Sequence, residues 1–285
     1  MPRDGLCSLV RASVRVRATT LLGRSEARSV VGQQISRDRF VIHLPNLFCG
    51  PPHAAAMVGG SMLKQLDELV GRHSGCEQQP VRFRPRTWHP RLEPHEAARV
   101  LDIGVACVNG PSGDRLVSRG DLSHLRDRAG DDDDSLRDLF VAVMIWGSGT
   151  TNGRGPRYTE AALSDARMAT VLRTTSEAVR DGDLSGAYRH FVLKGVGRSF
   201  FTKWFAAVDD RDGTHERALI LDDRVFRSLN ALGWVSWKAA GTRYWPTRYA
   251  TYVSSLHEWA SALGVTADRL EWLLFHVNGR IDEVS

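Results

Sequence analysis

Apolar residues recur at helical intervals from about residue 41 onward, with no internal repeat and no βαβ alternation, so the pattern predicts an all-α protein. Residues 61–70 read as a helix with Met62, Leu63, Leu66 and Leu69 on one side. Residues 81–94, rich in proline, arginine and aromatics, read as irregular. Residues 94–108 read as a helix that starts on Pro94, because a first-turn proline lacks only an N–H that would go unpaired anyway. Residues 109–118 are turn-rich. Asp131, Asp132, Asp133 and Asp134 precede a strongly apolar stretch at 136–146, where carboxylates cap a helix and complement its dipole. That stretch reads as a buried helix that ends at Gly147-Ser148-Gly149. Further helices are predicted over 159–172, 184–192, 198–208, 222–232, 247–263 and 266–276, the last with a capped start at Thr266-Ala267-Asp268.

The 285 residues suit one large domain or two intimate ones, and a hydrophobic content of 42% allows a sizeable core. No apolar run approaches the length needed to cross a membrane, and the four widely scattered cysteines read as free thiols of a reduced cytoplasmic protein. The first 40 residues differ from the rest: arginine-rich, few acids, no apolar period. They resemble a transit peptide or a basic arm and are expected to be disordered, leaving 41–285 as the globular domain. A net charge of +5 favours a polyanionic partner, though weakly at this length. Nearly every cation is arginine; the lysines are Lys64, Lys194, Lys203 and Lys238. A lysine retained in such a background stands out, because its amine can lose a proton and act as a nucleophile, which a guanidinium cannot. Cys7, Cys49, Cys76 and Cys107 form no metal-binding spacing, and no metal or organic cofactor is implied.

The centre of the functional reading is 184–234. An apolar helix carrying Tyr188, Phe191 and Val192 runs through Leu193 and Lys194 into Gly195-Val196-Gly197, and a second helix begins at Arg198. Two glycines flanking one apolar residue allow a tight turn and close approach to another surface. Val196 can plug that turn into the core. The following helix then presents unpaired N–H groups and a positive dipole end, a site for a DNA phosphate, with Lys194, Arg198 and Ser199 alongside. Such a contact grips backbone and carries no sequence information. Downstream, the apolar run Ala218-Leu219-Ile220-Leu221 delivers Asp222-Asp223-Arg224, and the next helix closes at Leu232-Gly233-Trp234.

This arrangement resembles the helix-hairpin-helix DNA glycosylase superfamily, which includes endonuclease III, the adenine-mismatch glycosylases and the 8-oxoguanine glycosylases. The resemblance covers about residues 136–276 and is strongest over 184–234, with the hairpin at about 184–209 and the aspartate segment at 218–234. The string Gly197-Arg198-Ser199-Phe200-Phe201-Thr202-Lys203 is similar to that of bacterial 8-oxoguanine glycosylases. The resemblance implies two helical lobes around a DNA- and base-binding cleft, with Asp222 in the catalytic aspartate position. Bifunctional members carry a nucleophilic lysine two residues after the second hairpin glycine. Here that place is Ser199, which alone would imply simple hydrolysis. Lys203 lies four residues on, on the same helix face. It is expected to be the attacking amine; a surface lysine or phosphate contact is the bland alternative, and an ordinary N-cap is the bland reading of Asp222. The iron–sulfur cluster of some members is absent, since no cysteine follows Cys107.

Cleaving an N-glycosidic bond builds positive charge on the sugar, which a carboxylate at Asp222 would stabilise. A deprotonated Lys203 would attack C1′ and leave a Schiff base, with strand cleavage to follow. The target base must leave the duplex. Residues 146–157 resemble the family's WG and glycine-rich loop, so Trp146, Gly147 and Arg154 are candidates for the base pocket, closed by Glu271, Trp272 and Phe275 of the last helix. The expected partner is double-stranded DNA holding a damaged base, 8-oxoguanine first. Another modified base, as in phage DNA, and a non-catalytic DNA-binding module are the alternatives.

Overall fold

The structure is a computed structural model that describes residues 52–108, 110–128, 130–149, 153–211 and 215–281, with side chains from residue 60. The expectation of disorder over 1–40 and the loop residues Thr150, Thr151 and Asn152 lie outside the described residues. The chain opens with α1 (Pro52–Arg72), in which Met62, Leu66 and Leu69 are buried.

Residues 81–118 depart from the sequence reading. Strand β1 (Val81–Phe83) leads into α2 (Pro85–Leu92), where Trp88 and Leu92, one turn apart, are fully buried. Pro90 inside α2 masks it in sequence, since proline costs the helix a hydrogen bond. The helix expected over 94–108 is replaced by two short 3-10 turns, Glu93–His95 and Ala98–Asp102, separated by Glu96 in the left-handed region. β2 (Val105–Ala106) and β3 (Arg115–Val117) follow, and β3 pairs antiparallel with both β1 and β2. Each strand is two or three residues long, too short for alternation to register.

Helices dominate from there. After α3 (Arg119–Arg128), α4 (Asp133–Gly147) runs through the core with Leu139 to Ile145 all buried. Its N-cap is Asp132, whose carboxylate accepts the Ser135 N–H at 2.9 Å. The single helix expected over 159–172 is two, α5 (Gly155–Leu163) and α6 (Met168–Arg180). Asp165 breaks it by accepting the Arg167 N–H with its side chain, which starts a new turn. α7 (Leu184–His190) and α8 (Arg198–Val208) form the hairpin, followed by α9 (Asp223–Ala231), the short α10 (Ser236–Ala239), α11 (Trp245–Ala262) and α12 (Ala267–Val277). α4 packs on α3, α5, α6 and α8; α7 packs on α6 and α11; α12 packs on α9 and α11. This packing brings the start of α8, the start of α9 and the face of α12 together. Among the described residues, no helix is long and apolar enough to cross a membrane.

Candidate active site

The hairpin takes its shape from one buried plug and one strained position. Leu193 and Val196 are buried, while Lys194, Gly195 and Gly197 are exposed. Gly195 has φ +81°, and a Cβ there would meet the Tyr158 ring at 3.2 Å, so both backbone and space demand glycine. Phe201 meets the Tyr188 ring edge-on at 4.8 Å and stacks on Phe191 at 5.3 Å between ring centroids, which sets the angle of α8 against α7. Gly197 caps α8 without a side chain, so no side chain covers the first N–H groups of α8 from that position. Arg198 is differently employed than its sequence position suggests. Its guanidinium pairs with Asp223 and lies over the rings of Trp245 (4.4 Å) and Phe226 (4.9 Å), tying α8 to α9 and α11.

One turn into α8, the side chains divide by task. Trp204 is fully buried and donates to Thr175 Oγ1 at 3.0 Å. Thr202, also fully buried, accepts the Leu221 N–H at 2.9 Å. Lys203 is 8% exposed; its Nζ donates to Ser199 Oγ at 2.8 Å and Ser199 O at 3.0 Å, and lies 3.5 Å from Asp222 Oδ2. Ser199 Oγ in turn donates to Asp222 Oδ2. The hydroxyl thus bridges the amine and the carboxylate.

Asp222 is delivered by the buried segment 218–221, which belongs to no helix or strand. Its backbone is satisfied by side chains instead. The N–H groups of Ala218, Ile220 and Leu221 donate to Asp209, Glu271 and Thr202, while Tyr249 and Tyr252 donate their hydroxyls to the carbonyls of Leu219 and Ile220, each at 2.8 Å. Buried backbone groups left unpaired would be costly, and five such bonds pin this approach from three helices. Asp222 then caps α9, accepting the Arg224 N–H on Oδ1 at 3.0 Å and leaving Oδ2 for Ser199 and Lys203. Cap and site residue are the same side chain, one oxygen for each duty.

Burial is the largest influence on Lys203 and lowers its pKa; the charges of Asp222 and Glu271 oppose it without reversing it. For Asp222 burial works upward, but the Lys203 charge, the Arg224 N–H and the Ser199 hydroxyl outweigh it and hold the carboxyl below its usual range. Glu271 is buried on α12 and raised by that burial, against Arg119 at 3.2 Å and the Ile220 N–H at 2.9 Å. The site therefore holds a disfavoured ammonium beside a firmly ionised carboxylate.

A cavity of about 150 Å3 opens beside Lys203 and Asp222. Trp146, Gly147, Trp272 and Phe275 line it, brought together from α4 and α12. Arg154 does not; it lines a separate cleft with Gly147, Tyr158 and Phe200. Gln78 and Arg119 line the cavity without having been singled out in sequence. Gln78 sits in a loop with no motif, and Arg119 is one of many arginines. Arg119 lies over the Trp146 ring at 5.6 Å, and its Nε and the Trp146 indole N–H are buried donors with no partner among the described residues. Arg224 is exposed over the Phe275 ring at 4.9 Å. Among the described residues, no group of three His, Cys, Asp or Glu side chains is arranged to hold a metal ion.

No match was found among the curated proteins or among the solved structures. The profile of the family described as "putative 8-oxoguanine DNA glycosylase OGG-like protein" matches residues 74–275, which include the hairpin, Lys203, Asp222 and every named residue of the cavity, and the chain belongs to that family.

Proposed function

We propose that the protein excises 8-oxoguanine from duplex DNA, with Lys203 as the nucleophile and Asp222 as the carboxylate that serves it. The observation that carries this reading is the environment of Lys203 Nζ: buried, lowered by burial, hydrogen-bonded to Ser199 and 3.5 Å from Asp222, at the edge of a cavity walled by aromatic rings. A lysine kept only to contact phosphate would sit in solvent, as Lys194 does.

The chemistry follows from that environment. Lys203 reacts as the free amine that its burial favours, its proton given up to solvent, while Asp222 stays ionised beside it and the Ser199 hydroxyl bridges the two. The freed lone pair forms a bond to C1′ as the C1′–N9 bond breaks, and the bonding pair leaves with the base, which takes up a proton. Positive charge on the sugar is balanced by Asp222. The nitrogen now bonded to C1′ gives up a proton through Ser199 to Asp222, its lone pair expels the ring oxygen O4′, which takes up that proton, and an iminium on Lys203 results; loss of a C2′ proton to water or the released base then expels the 3′ phosphate and cuts the strand. The flipped base stacks against Trp272 and Phe275. The unpartnered donors Trp146 Nε1 and Arg119 Nε suit the carbonyl acceptors O6 and O8 of 8-oxoguanine, whose N7 carries a proton.

Borohydride reduction during reaction on an 8-oxoguanine duplex tests this. The expected result is a covalent protein–DNA adduct that Lys203→Gln abolishes. Excision without an adduct would replace the amine mechanism by hydrolysis. A panel of duplexes with one modified base each reads the substrate: excision of a different base with none at 8-oxoguanine would overturn the assignment. Intact DNA binding with no excision of any base would leave only a binding module.

A further inference from the structure

Between Asp223 and Glu258 the chain contains no acidic residue, while Arg224, Arg227, Lys238, Arg243 and Arg248 fall within that stretch. The part of it around α10 is also where large aromatic side chains face solvent. Trp237 is 43% exposed and Tyr244 is 52% exposed. Lys238 Nζ and the Arg243 guanidinium each lie 5.7 Å from the centre of the Trp237 ring, so both cations are held over one indole. Both are exposed, and neither forms an ion pair with a carboxylate among the described residues.

This patch is continuous with the hairpin. Arg248 donates to Ser236 Oγ at 2.7 and 3.0 Å, next to Trp237, and stacks on Trp245 at 3.4 Å. The same Trp245 ring carries Arg198, the first residue of α8, at 4.4 Å. Arg198, Trp245 and Arg248 therefore lead from the start of α8 to Ser236, the residue before Trp237. The inward members, Arg198 and Arg248, are occupied in packing. The outward members, Lys238 and Arg243, are not.

We propose that Trp237, Lys238, Arg243 and Tyr244 form a second DNA contact, which grips the duplex flank beyond the hairpin by neighbouring phosphates of one strand. The proposal rests on the reading of DNA as the substrate. Its argument is charge complementarity: two exposed cations in an acid-free stretch of chain, no farther apart than twice their distance to a shared ring, match a strand that carries one charge at every step. The exposed indole and phenol offer flat apolar area to the deoxyribose between those phosphates. The contact lengthens the footprint of an enzyme whose hairpin holds only a short piece of backbone, and it adds affinity without base preference.

The test is binding of the full chain, as the catalytically silenced Lys203→Gln protein, to a long undamaged duplex across a salt series. Removing Lys238 and Arg243 together as glutamines should weaken binding about tenfold or more at low salt. It should also make the dependence of log K on log salt shallower by about two units, roughly one for each phosphate no longer neutralised. The exchange Lys238→Arg with Arg243→Lys should restore the slope. Trp237→Ala should weaken binding with the slope kept, since a ring releases no counterions. An unchanged slope in the double glutamine variant overturns the contact, as does a weakening confined to single-stranded oligonucleotides. Because undamaged DNA is the probe, failure of this contact is distinct from failure of the excision chemistry, which is read by base release.

Discussion

Gly147→Ala separates catalysis from stability in one substitution. Gly147 closes α4, and a Cβ there would lie 2.9 Å from Lys203 Cδ and 3.0 Å from the Phe200 ring. Ordinary contact begins near 3.4 Å, so the lysine stem must recede by roughly 0.5 Å. The yielding atoms belong to flexible side chains, and the backbone of Gly147 is not in the left-handed region, so the fold accommodates alanine. Alanine in a helix is favoured over glycine by about 1 kcal/mol, which offsets the new contact and leaves Tm unchanged or slightly raised. The amine bears the cost instead. Its bonds of 2.8 and 3.0 Å to Ser199 stretch toward the limit of a hydrogen bond, and a displacement of this order costs about tenfold to a hundredfold in the chemical step. Single-turnover excision at saturating enzyme, beside a thermal melt of the same preparation, reads both. Full excision with a new Cβ in place would show that the position of Lys203 does not govern the reaction.

Thr202→Val keeps the shape of a fully buried side chain but removes the acceptor of the Leu221 N–H; it should destabilise by about 1–3 kcal/mol in a denaturant melt and slow excision, because Leu221 precedes Asp222. Glu271→Gln removes a negative charge that favours the Lys203 ammonium, so the amine loses its proton more readily and the acid limb of the pH–rate profile moves to lower pH; a shift to higher pH would refute the placement. Asp132→Ala removes the cap of α4 and lowers Tm at neutral pH. Since Ser135 depresses the Asp132 pKa, that stabilisation is present above the unfolded-state value and fades as pH falls through the folded one, so variant and parent converge in acid.

Helices carrying a full amphipathic stripe were legible in the sequence. α8 runs over the expected residues, and α9, α11 and α12 begin or end within two residues of expectation. What failed to register was local. Two- and three-residue strands leave no period to detect, Pro90 disguised α2, and the left-handed backbone of Glu96 divided a segment whose composition suited a helix. In each case one residue or one pairing partner far along the chain decided the outcome, and neither is visible in a window of neighbouring residues.

The catalytic candidates show the reverse, a long-range arrangement that sequence can encode locally. Ser199 and Lys203 share a helix face because they are four residues apart, and Asp222 needs only to cap the next helix to reach them. Replacing the usual lysine position by serine therefore does not empty the site. The amine enters from one turn deeper, and the hydroxyl occupies the space between it and the carboxylate. The deeper origin has a chemical consequence: a lysine one turn into α8 is flanked by Thr202 and Trp204, both fully buried, and the burial that lowers its pKa comes with the position. Moving the amine back, as Ser199→Lys with Lys203→Ser, would return it toward the half-buried start of the helix, where it would hold its proton more firmly. That swap should preserve the fold and DNA binding while moving the acid limb of excision to higher pH. An unshifted profile would mean that depth in the helix does not set the reactivity of the amine.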